Sequence, residues 1–286
     1  MKHTFIREKS FYRKNCVYQI VDWFEYSEEE QQAARHSRKQ RQLATLPKNK
    51  SLNDKHSRDM FEWLVQNNFG KDDYSATLTF AEEPTNEVGK RLLDNFIKRL
   101  RRLYRKKGLR LDYVAVTEDR ASGNRLHYHL ILNSGNRAIM RDEIEKLWHE
   151  GYCNVDRLQP NESGLTELCW YLEKSQKNAA KHKRAWTCST HLKRPDIITD
   201  DNAISRKRMR TIQKAARNDD IKSEVEKIYK NWTCIESEIG VNEVTGRQFA
   251  RFKLIRKPLP GKTRRKTERA AACSMPLRQN KNNLRI

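Results

Sequence analysis

Residues 125–132 read Arg125-Leu126-His127-Tyr128-His129-Leu130-Ile131-Leu132. Side chains two positions apart share one face of a β-strand, so His127 and His129 project together, and Leu126, Tyr128, Leu130 and Leu132 project to the other side. The apolar set predicts a strand with one face in a core, and the two imidazoles on the other face can both reach one metal ion. The same pattern is also typical of two hydrogen-bonded histidines, so alone it does not identify a metal site.

The strand before this one is predicted over residues 111–118, and the polar turn Ala121-Ser122-Gly123-Asn124 joins the two as a hairpin. With a four-residue loop, Glu118 stands opposite His127, and directly opposed residues share a face of a sheet. His127, His129 and Glu118 would then offer two imidazoles and a carboxylate to Mg²⁺ or Mn²⁺. A change of one residue in the loop moves Glu118 to the core side, and Glu118 could instead be a surface carboxylate paired with an arginine.

A second group of polar residues lies on a predicted helix over residues 164–178, where Tyr171 precedes Lys174 by one turn. A phenol has a pKa near 10, so its attack on phosphorus needs a polarised phosphate and a nearby cation. The spacing Tyr-x-x-Lys alone is equally typical of a tyrosine that packs at the edge of a core. The predicted buried stripe of this helix is Leu165, Leu168 and Leu172.

The other elements complete an α+β pattern. Residues 74–80 alternate as a half-buried strand with Thr77 and Thr79 on its polar face, and residues 84–107 form an apolar helical stripe that ends at Gly108. The order strand–helix–strand–strand–helix–strand–helix predicts an α+β fold with an antiparallel sheet covered by helices, carrying basic helical extensions. The last three elements of this order are a helix at 141–150, a strand at 151–158 and the helix at 164–178.

We divide the sequence into three regions. Residues 1–70 are predicted to be a basic, mostly helical leader, and residues 71–195 carry the motifs. Residues 196–286 are predicted to contain a charged helical stretch, a hairpin and a tail. The tail holds ten Lys or Arg against one Glu from residue 256 onward, and this composition predicts disorder in the free chain.

Composition limits the class of protein. The chain of 286 residues has a net charge of +22 and only 36% hydrophobic residues, with a mean hydropathy of −0.98. It has no apolar run of about 20 residues and no apolar segment near its start, so we expect neither a membrane span nor a secretory signal. Six scattered cysteines without a C-x-x-C pair argue against a zinc ribbon or a disulfide framework and suit a reducing cytosol.

The positive charge predicts a polyanionic partner, because Lys and Arg release counterions from phosphates. Nine Lys or Arg fall within residues 90–107, and we expect this run to flank the proposed site. Thr77 and Thr79 could contact the DNA backbone, although β-propensity explains them equally well. Basic residues around the tyrosine helix are predicted to follow a single DNA strand, although such runs are also typical of solvated faces. They are Lys174, Lys177, Lys181, Lys183, Arg184, Lys193 and Arg194.

The motifs taken in order resemble the HUH endonucleases. The threonine-rich strand comes first, then Glu118 and His127-Tyr128-His129, then Tyr171-x-x-Lys174. Within that superfamily, the pattern is most similar to the rolling-circle replication initiators of filamentous phages, small plasmids and integrative elements. The resemblance covers about residues 71–195. Ser175 stands where many relatives have a second tyrosine, so the pattern resembles the single-tyrosine enzymes.

The resemblance implies a split βαβ, RRM-like core in which His127, His129 and Glu118 hold a divalent metal, Mg²⁺ or Mn²⁺. It implies that Tyr171 attacks one DNA strand, forms a 5′-phosphotyrosyl link and frees a 3′-OH primer, while Lys174 orients the phenol or offsets charge. No nucleotide cofactor is needed for the nick. The implied partners are single-stranded or origin DNA with a host helicase and polymerase, in the cytoplasm of a bacterial host.

Two other interpretations stay open. The chain could be an HUH transposase or a conjugative relaxase, but relaxases usually have three histidines and a tyrosine near the N-terminus, and small HUH transposases typically lack long flanking extensions. It could also be a non-catalytic basic protein that binds nucleic acid, in which case His127 and His129 are fortuitous. Metal-dependent DNA cleavage that is lost in Tyr171→Phe would separate the nickase from the non-catalytic protein.

Overall fold

The computed structural model describes residues 4–27, 47–118, 125–174, 186–218, 220–241 and 246–257. Within these ranges the chain forms ten strands, arranged in two five-stranded antiparallel sheets, and six helices. This architecture confirms the predicted α+β class with antiparallel sheets covered by helices.

The elements alternate along the chain in the order that their bounds give. The strands are β1 (Thr4–Tyr12), β2 (Tyr18–Ser27), β3 (Tyr74–Thr79), β4 (Tyr113–Glu118), β5 (His127–Leu132), β6 (Cys153–Arg157), β7 (Trp186–Cys188), β8 (Asp196–Ile204), β9 (Trp232–Val241) and β10 (Gln248–Arg256). The helices are α1 (Pro47–Asn68), α2 (Asn86–Lys106), α3 (Arg141–Glu145), α4 (Thr166–Lys174), α5 (Arg206–Arg217) and α6 (Ile221–Ile228).

The first of the two sheets, which we name the site sheet, has the strand order β6-β3-β5-β4-β7. Alternate residues of β3 and β5 are buried in one core against α2, as their period of two predicts. The strands predicted at residues 74–80, 111–118, 125–132 and 151–158 are all present. The buried members that fix this core face are Tyr74, Ala76, Leu78, Tyr128, Leu130 and Leu132.

Helix α2 covers the core face of the site sheet. Its first turn is capped by the Thr85 hydroxyl, which accepts a hydrogen bond from the Val88 N–H at 3.3 Å, and Gly108 ends it with a φ of +67°. Phe96 and Leu100 lie on its buried stripe. Because α2 lies on the core face, the basic run at 90–107 is across the sheet from the histidines. The expectation that this run flanks the site is therefore wrong.

The other sheet, which we name the second sheet, has the strand order β8-β1-β2-β10-β9. Its first two strands lie within residues 4–27, so the prediction of a mostly helical leader is wrong there. Strand β8 likewise extends to Ile204, into a stretch with a helical pattern. The predicted hairpin of residues 196–286 is present as β9 and β10, and α5 and α6 account for the predicted helical stretch.

Strand β1 was missed because distant residues satisfy its charged side chains. Arg7 pairs with Asp201, 194 residues away, at 2.5 Å. The Glu8 carboxylate accepts hydrogen bonds from the Trp23 indole at 3.1 Å and from the Tyr229 hydroxyl at 2.7 Å. Charges therefore occur on both faces of β1, and the apolar alternation that marks a strand is hidden in the sequence.

One hydrophobic core joins the two sheets. Helix α1 packs Phe61 and Leu64 against the second sheet, while Val116 and Ile131 enter the same core from the site sheet. Leu172 of α4 lies between them. All three predicted regions contribute residues to this core, and the predicted boundaries at 70/71 and 195/196 stay a prediction.

Two further sequence expectations concern the described ranges. There, no helix is both long and apolar enough to cross a membrane. The five cysteines in these ranges are free thiols, four of them buried, which agrees with the expected lack of a disulfide framework. The predicted disordered tail lies outside the described residues, apart from Arg256 and Lys257.

Candidate active site

Strand register places the predicted site residues on one face of the site sheet. In the antiparallel ladders, Glu118 stands directly opposite His127, and Thr77 stands directly opposite His129. The hairpin register expected from a four-residue loop is therefore confirmed, while residues 119–124 lie outside the described part of the chain. This face, which we name the histidine face, points away from α2.

His129 is held from both sides. Its Nε2 lies 3.1 Å from Oε2 of Glu118, and its Nδ1 lies 3.3 Å from the Thr77 hydroxyl. The imidazole is only 6% exposed. A hydroxyl can donate or accept a hydrogen bond, so Thr77 can support His129 in either tautomer. The ring is therefore fixed in orientation before any ligand arrives.

His127 is the third predicted metal ligand. It lies two residues before His129, half-buried on the same face. Among the residues that the structure describes, no three His, Cys, Asp or Glu side chains are grouped closely enough to hold a metal ion. The structure thus brings His129 and Glu118 into contact and keeps His127 on their face without closing a three-ligand cluster.

Helix α4 presents Tyr171 to this face. The Tyr171 side chain is 56% exposed, and its ring centroid lies 5.7 Å from that of His129 at an interplanar angle of 84°. Leu172 is buried on the other side of the helix, as predicted, but Cys169 is buried more deeply than Leu168. Lys174 is the last residue of α4. The tyrosine hydroxyl is therefore accessible to a ligand beside the Glu118–His129 pair.

Gln66 of α1 fixes the start of α4. Its side-chain oxygen accepts a hydrogen bond from the Leu165 N–H at 3.0 Å, and its side-chain nitrogen donates to the Thr166 hydroxyl at 2.9 Å. A side chain at Gly164 would collide with this amide, and its φ of +68° also favours glycine. The helix that carries Tyr171 is thus attached to the leader region.

The back of α4 meets buried charges of the second sheet. Lys253 of β10 lies 2.9 Å from Glu62 of α1 and 2.7 Å from Glu236 of β9. Burial raises the pKa of Glu173 to about 7; the Glu62 carboxylate adds to the rise, and Lys253 opposes it. The Lys253 ammonium also lies 6.0 Å from the ring of Trp170, which is 47% exposed rather than part of a core.

The residues predicted to bind DNA have separate surroundings. The Thr77 hydroxyl contacts His129, and the Thr79 hydroxyl donates to the Tyr152 carbonyl at 3.1 Å. Lys193 and Arg194 are exposed after β7, whereas Lys177, Lys181, Lys183 and Arg184 lie outside the described residues. Trp186, a candidate for base stacking, instead donates to the Ser57 hydroxyl and packs on Phe61 of α1. The DNA contacts of these lysines, arginines and threonines stay predictions.

Three residues near the site were missed in the sequence. Gln66 and Lys253 act on α4 from about 100 and 80 positions away, and no local pattern connects them to Tyr171. Tyr152 could have been found, because alternation back from buried Val155 and Cys153 places it with Asn154 on the histidine face.

Comparison with known proteins adds one match. A search of curated proteins and a search of solved structures each returned no match to the chain. Residues 73–176, rather more than a third of the chain, match a family model whose description is Replication-associated protein, of the ORF2 group. The matched stretch runs from just before β3 to just after α4, so it contains Glu118, His127, His129 and Tyr171. This part of the chain is therefore similar to replication-associated proteins, which is consistent with a rolling-circle replication initiator.

Proposed function

We propose that the chain is a rolling-circle replication initiator that nicks one DNA strand at an origin with Tyr171 as the nucleophile. One observation carries the proposal: the exposed Tyr171 ring lies edge-on to His129, which contacts Glu118, on an open sheet face within the family match. The +22 charge supports DNA as the partner. A host helicase and polymerase would then act on the nicked product.

In the proposed reaction the phenolic oxygen of Tyr171 forms a bond to phosphorus, and the bond from phosphorus to the 3′ oxygen breaks. The phenol loses its proton, and the departing 3′ oxygen gains one. The 5′ end stays on the protein as a phosphotyrosyl ester, which conserves the energy of the phosphodiester. Lys174, on the same helix, would offset the negative charge that develops on the phosphate. The free 3′-OH is the primer for a polymerase.

The proposal includes a divalent cation. His129, Glu118 and His127 would hold it, since two imidazoles and a carboxylate on one face are a donor set that suits Mn²⁺ or Mg²⁺. When bound, such an ion polarises a phosphoryl oxygen as a Lewis acid. The protein's own contribution is orientation: Thr77 and Glu118 fix the His129 ring, and Gln66 fixes the helix that carries Tyr171.

The test uses the full chain and a labelled, random-sequence single-stranded DNA library with Mn²⁺ or Mg²⁺. We expect a covalent protein–DNA adduct that resists denaturation, and its complete loss in Tyr171→Phe. Tyr26→Phe in the second sheet is the matched control, because it removes a tyrosine hydroxyl that lies far from the histidine face.

Each outcome separates the candidate functions. An adduct that persists in Tyr171→Phe would overturn the nucleophile. Salt-sensitive DNA binding with no adduct under any metal condition would favour the non-catalytic DNA-binding protein. An adduct that also inserts the bound strand into a second duplex would favour a transposase over a replication initiator.

A further inference from the structure

Tyr152 continues the row of site residues across the site sheet. Strand pairing sets Glu118 opposite His127 and His127 opposite Thr79, and Thr79 is joined to Tyr152 because its N–H donates to the Tyr152 carbonyl at 2.9 Å. Neighbouring strands are about 4.8 Å apart, so Tyr152 is about 10 Å from His127 along this row. It therefore lies within a few nucleotides of a phosphate bound at the histidine face.

The Tyr152 side chain belongs to the open side of the sheet. Cys153 and Val155 of β6 are 8% and 0% exposed in the core against α2, and strand neighbours point to opposite faces. Tyr152 is 68% exposed, and it is the most exposed of the large hydrophobic side chains in the described ranges. A large aromatic ring thus stands at the surface next to Thr79.

The backbone that carries Tyr152 is fixed. The Trp148 indole donates to the Thr79 carbonyl at 2.9 Å, and the Ala81 N–H donates to the Glu150 carbonyl at 2.9 Å. Gly151 packs so closely on the end of β3 that a Cβ there would lie 2.5 Å from the Thr79 carbonyl oxygen. The ring is therefore presented from a held backbone, which lowers the entropy that a contact with a ligand would cost.

A cation accompanies the ring at this end of the sheet. Arg125 lies two residues before His127, and its guanidinium donates to the carbonyls of Phe80 at 3.2 Å and Ala81 at 3.3 Å. One nitrogen makes both bonds, so other donors of the guanidinium remain for an anion. The carboxylate of Asp156 lies two row positions further along β6, away from Arg125. Charge therefore favours a phosphate near Arg125 and Tyr152.

We propose that Tyr152 stacks on a base of the single strand next to the nicked phosphate, while Arg125 contacts a backbone phosphate beside it. This inference rests on the proposed function, which supplies single-stranded DNA as the ligand. Stacking on an aromatic ring suits any base, because every base has a π-face. Tyr152 would hold the strand in place, and the sequence preference would come from elsewhere.

The binding test uses Tyr171→Phe protein and a fluorescent oligo-dT probe, so that no cleavage is needed. Tyr152→Ala should weaken binding about five- to a hundredfold, which is the range that loss of one stacked base gives. Tyr152→Phe is the matched control and should bind within about twofold of its parent, since it keeps the ring. Equal binding by Tyr152→Ala, or equal losses in both variants, would overturn the stacking role.

A photochemical test reports the contact itself. Oligo-dT with single 5-iodouracil substitutions forms cross-links to aromatic rings that lie against the base, and mass spectrometry identifies the residue. We expect a cross-link at Tyr152 that Tyr152→Ala removes; a cross-link confined to other residues would overturn the proposal. Failure of the nickase is seen separately, as wild-type chain without a Tyr171-dependent adduct.

Discussion

The two sheets place their polar residues in opposite ways. The site sheet keeps one face apolar and leaves Glu118, His127 and Tyr171 of the adjacent helix at or near the surface of the other. The second sheet has helices against both faces and buries Arg251 and Lys253 among carboxylates. Chemistry therefore lies on the open face, and the charges of the second sheet act on structure. Helix α4 touches both, since Tyr171 faces His129 while Trp170 and Glu173 face Lys253.

The largest effect is expected from the open face. His129→Ala should lower the rate of adduct formation about a thousandfold or more, because it removes a ligand of the cation that stabilises charge in the transition state. DNA binding should stay within a few-fold of wild type, since the basic residues are untouched. Single-turnover assays and binding isotherms measure the two quantities. Unchanged adduct formation in His129→Ala would show that the Glu118–His129 pair is not part of the reaction.

A smaller effect in free energy is expected from the second sheet. Lys253→Met leaves Glu62, which is 2% exposed, without its cation, and it should lower the free energy of unfolding by about 3 kcal/mol. The Lys253 pKa is raised: burial opposes the ammonium charge, but Glu62 and Glu236 outweigh it. The double variant Lys253→Met/Glu62→Leu should recover most of the loss, because it removes both charges. Denaturant unfolding measures all three, and a Lys253→Met protein as stable as wild type would contradict this role.

The smallest effect concerns Glu173 and pH. Its pKa is raised from 4.5 to about 7 in the folded chain, so between these values the folded state holds a proton that the unfolded state has released. The free energy of unfolding therefore falls as the pH rises through this window. Glu173→Gln should be more stable than wild type by about 1 kcal/mol at pH 8, after allowance for solvent screening, and by much less at pH 5. An equal difference at both pH values would contradict the raised pKa.

The same contrast explains what could be predicted from the sequence. The site sheet was predicted because its information is local: β5 alternates over eight residues, α2 repeats its apolar stripe, and one loop length sets Glu118 opposite His127. Strand β1 was not, because Arg7 and Glu8 find partners about 200 positions away. The attachment of α4 to Gln66 and Lys253 is equally non-local. A motif can thus indicate the nucleophile without showing what holds it.

The central claim is that Tyr171 becomes covalently joined to DNA beside the Glu118–His129 pair. The most direct test is to digest the adduct formed with single-stranded DNA and Mn²⁺ and to map the modified residue by mass spectrometry. We predict a peptide in which Tyr171 carries a 5′-linked nucleotide, and no such peptide from His129→Ala. A nucleotide on any other residue, or DNA cleavage without a covalent adduct, would contradict the account.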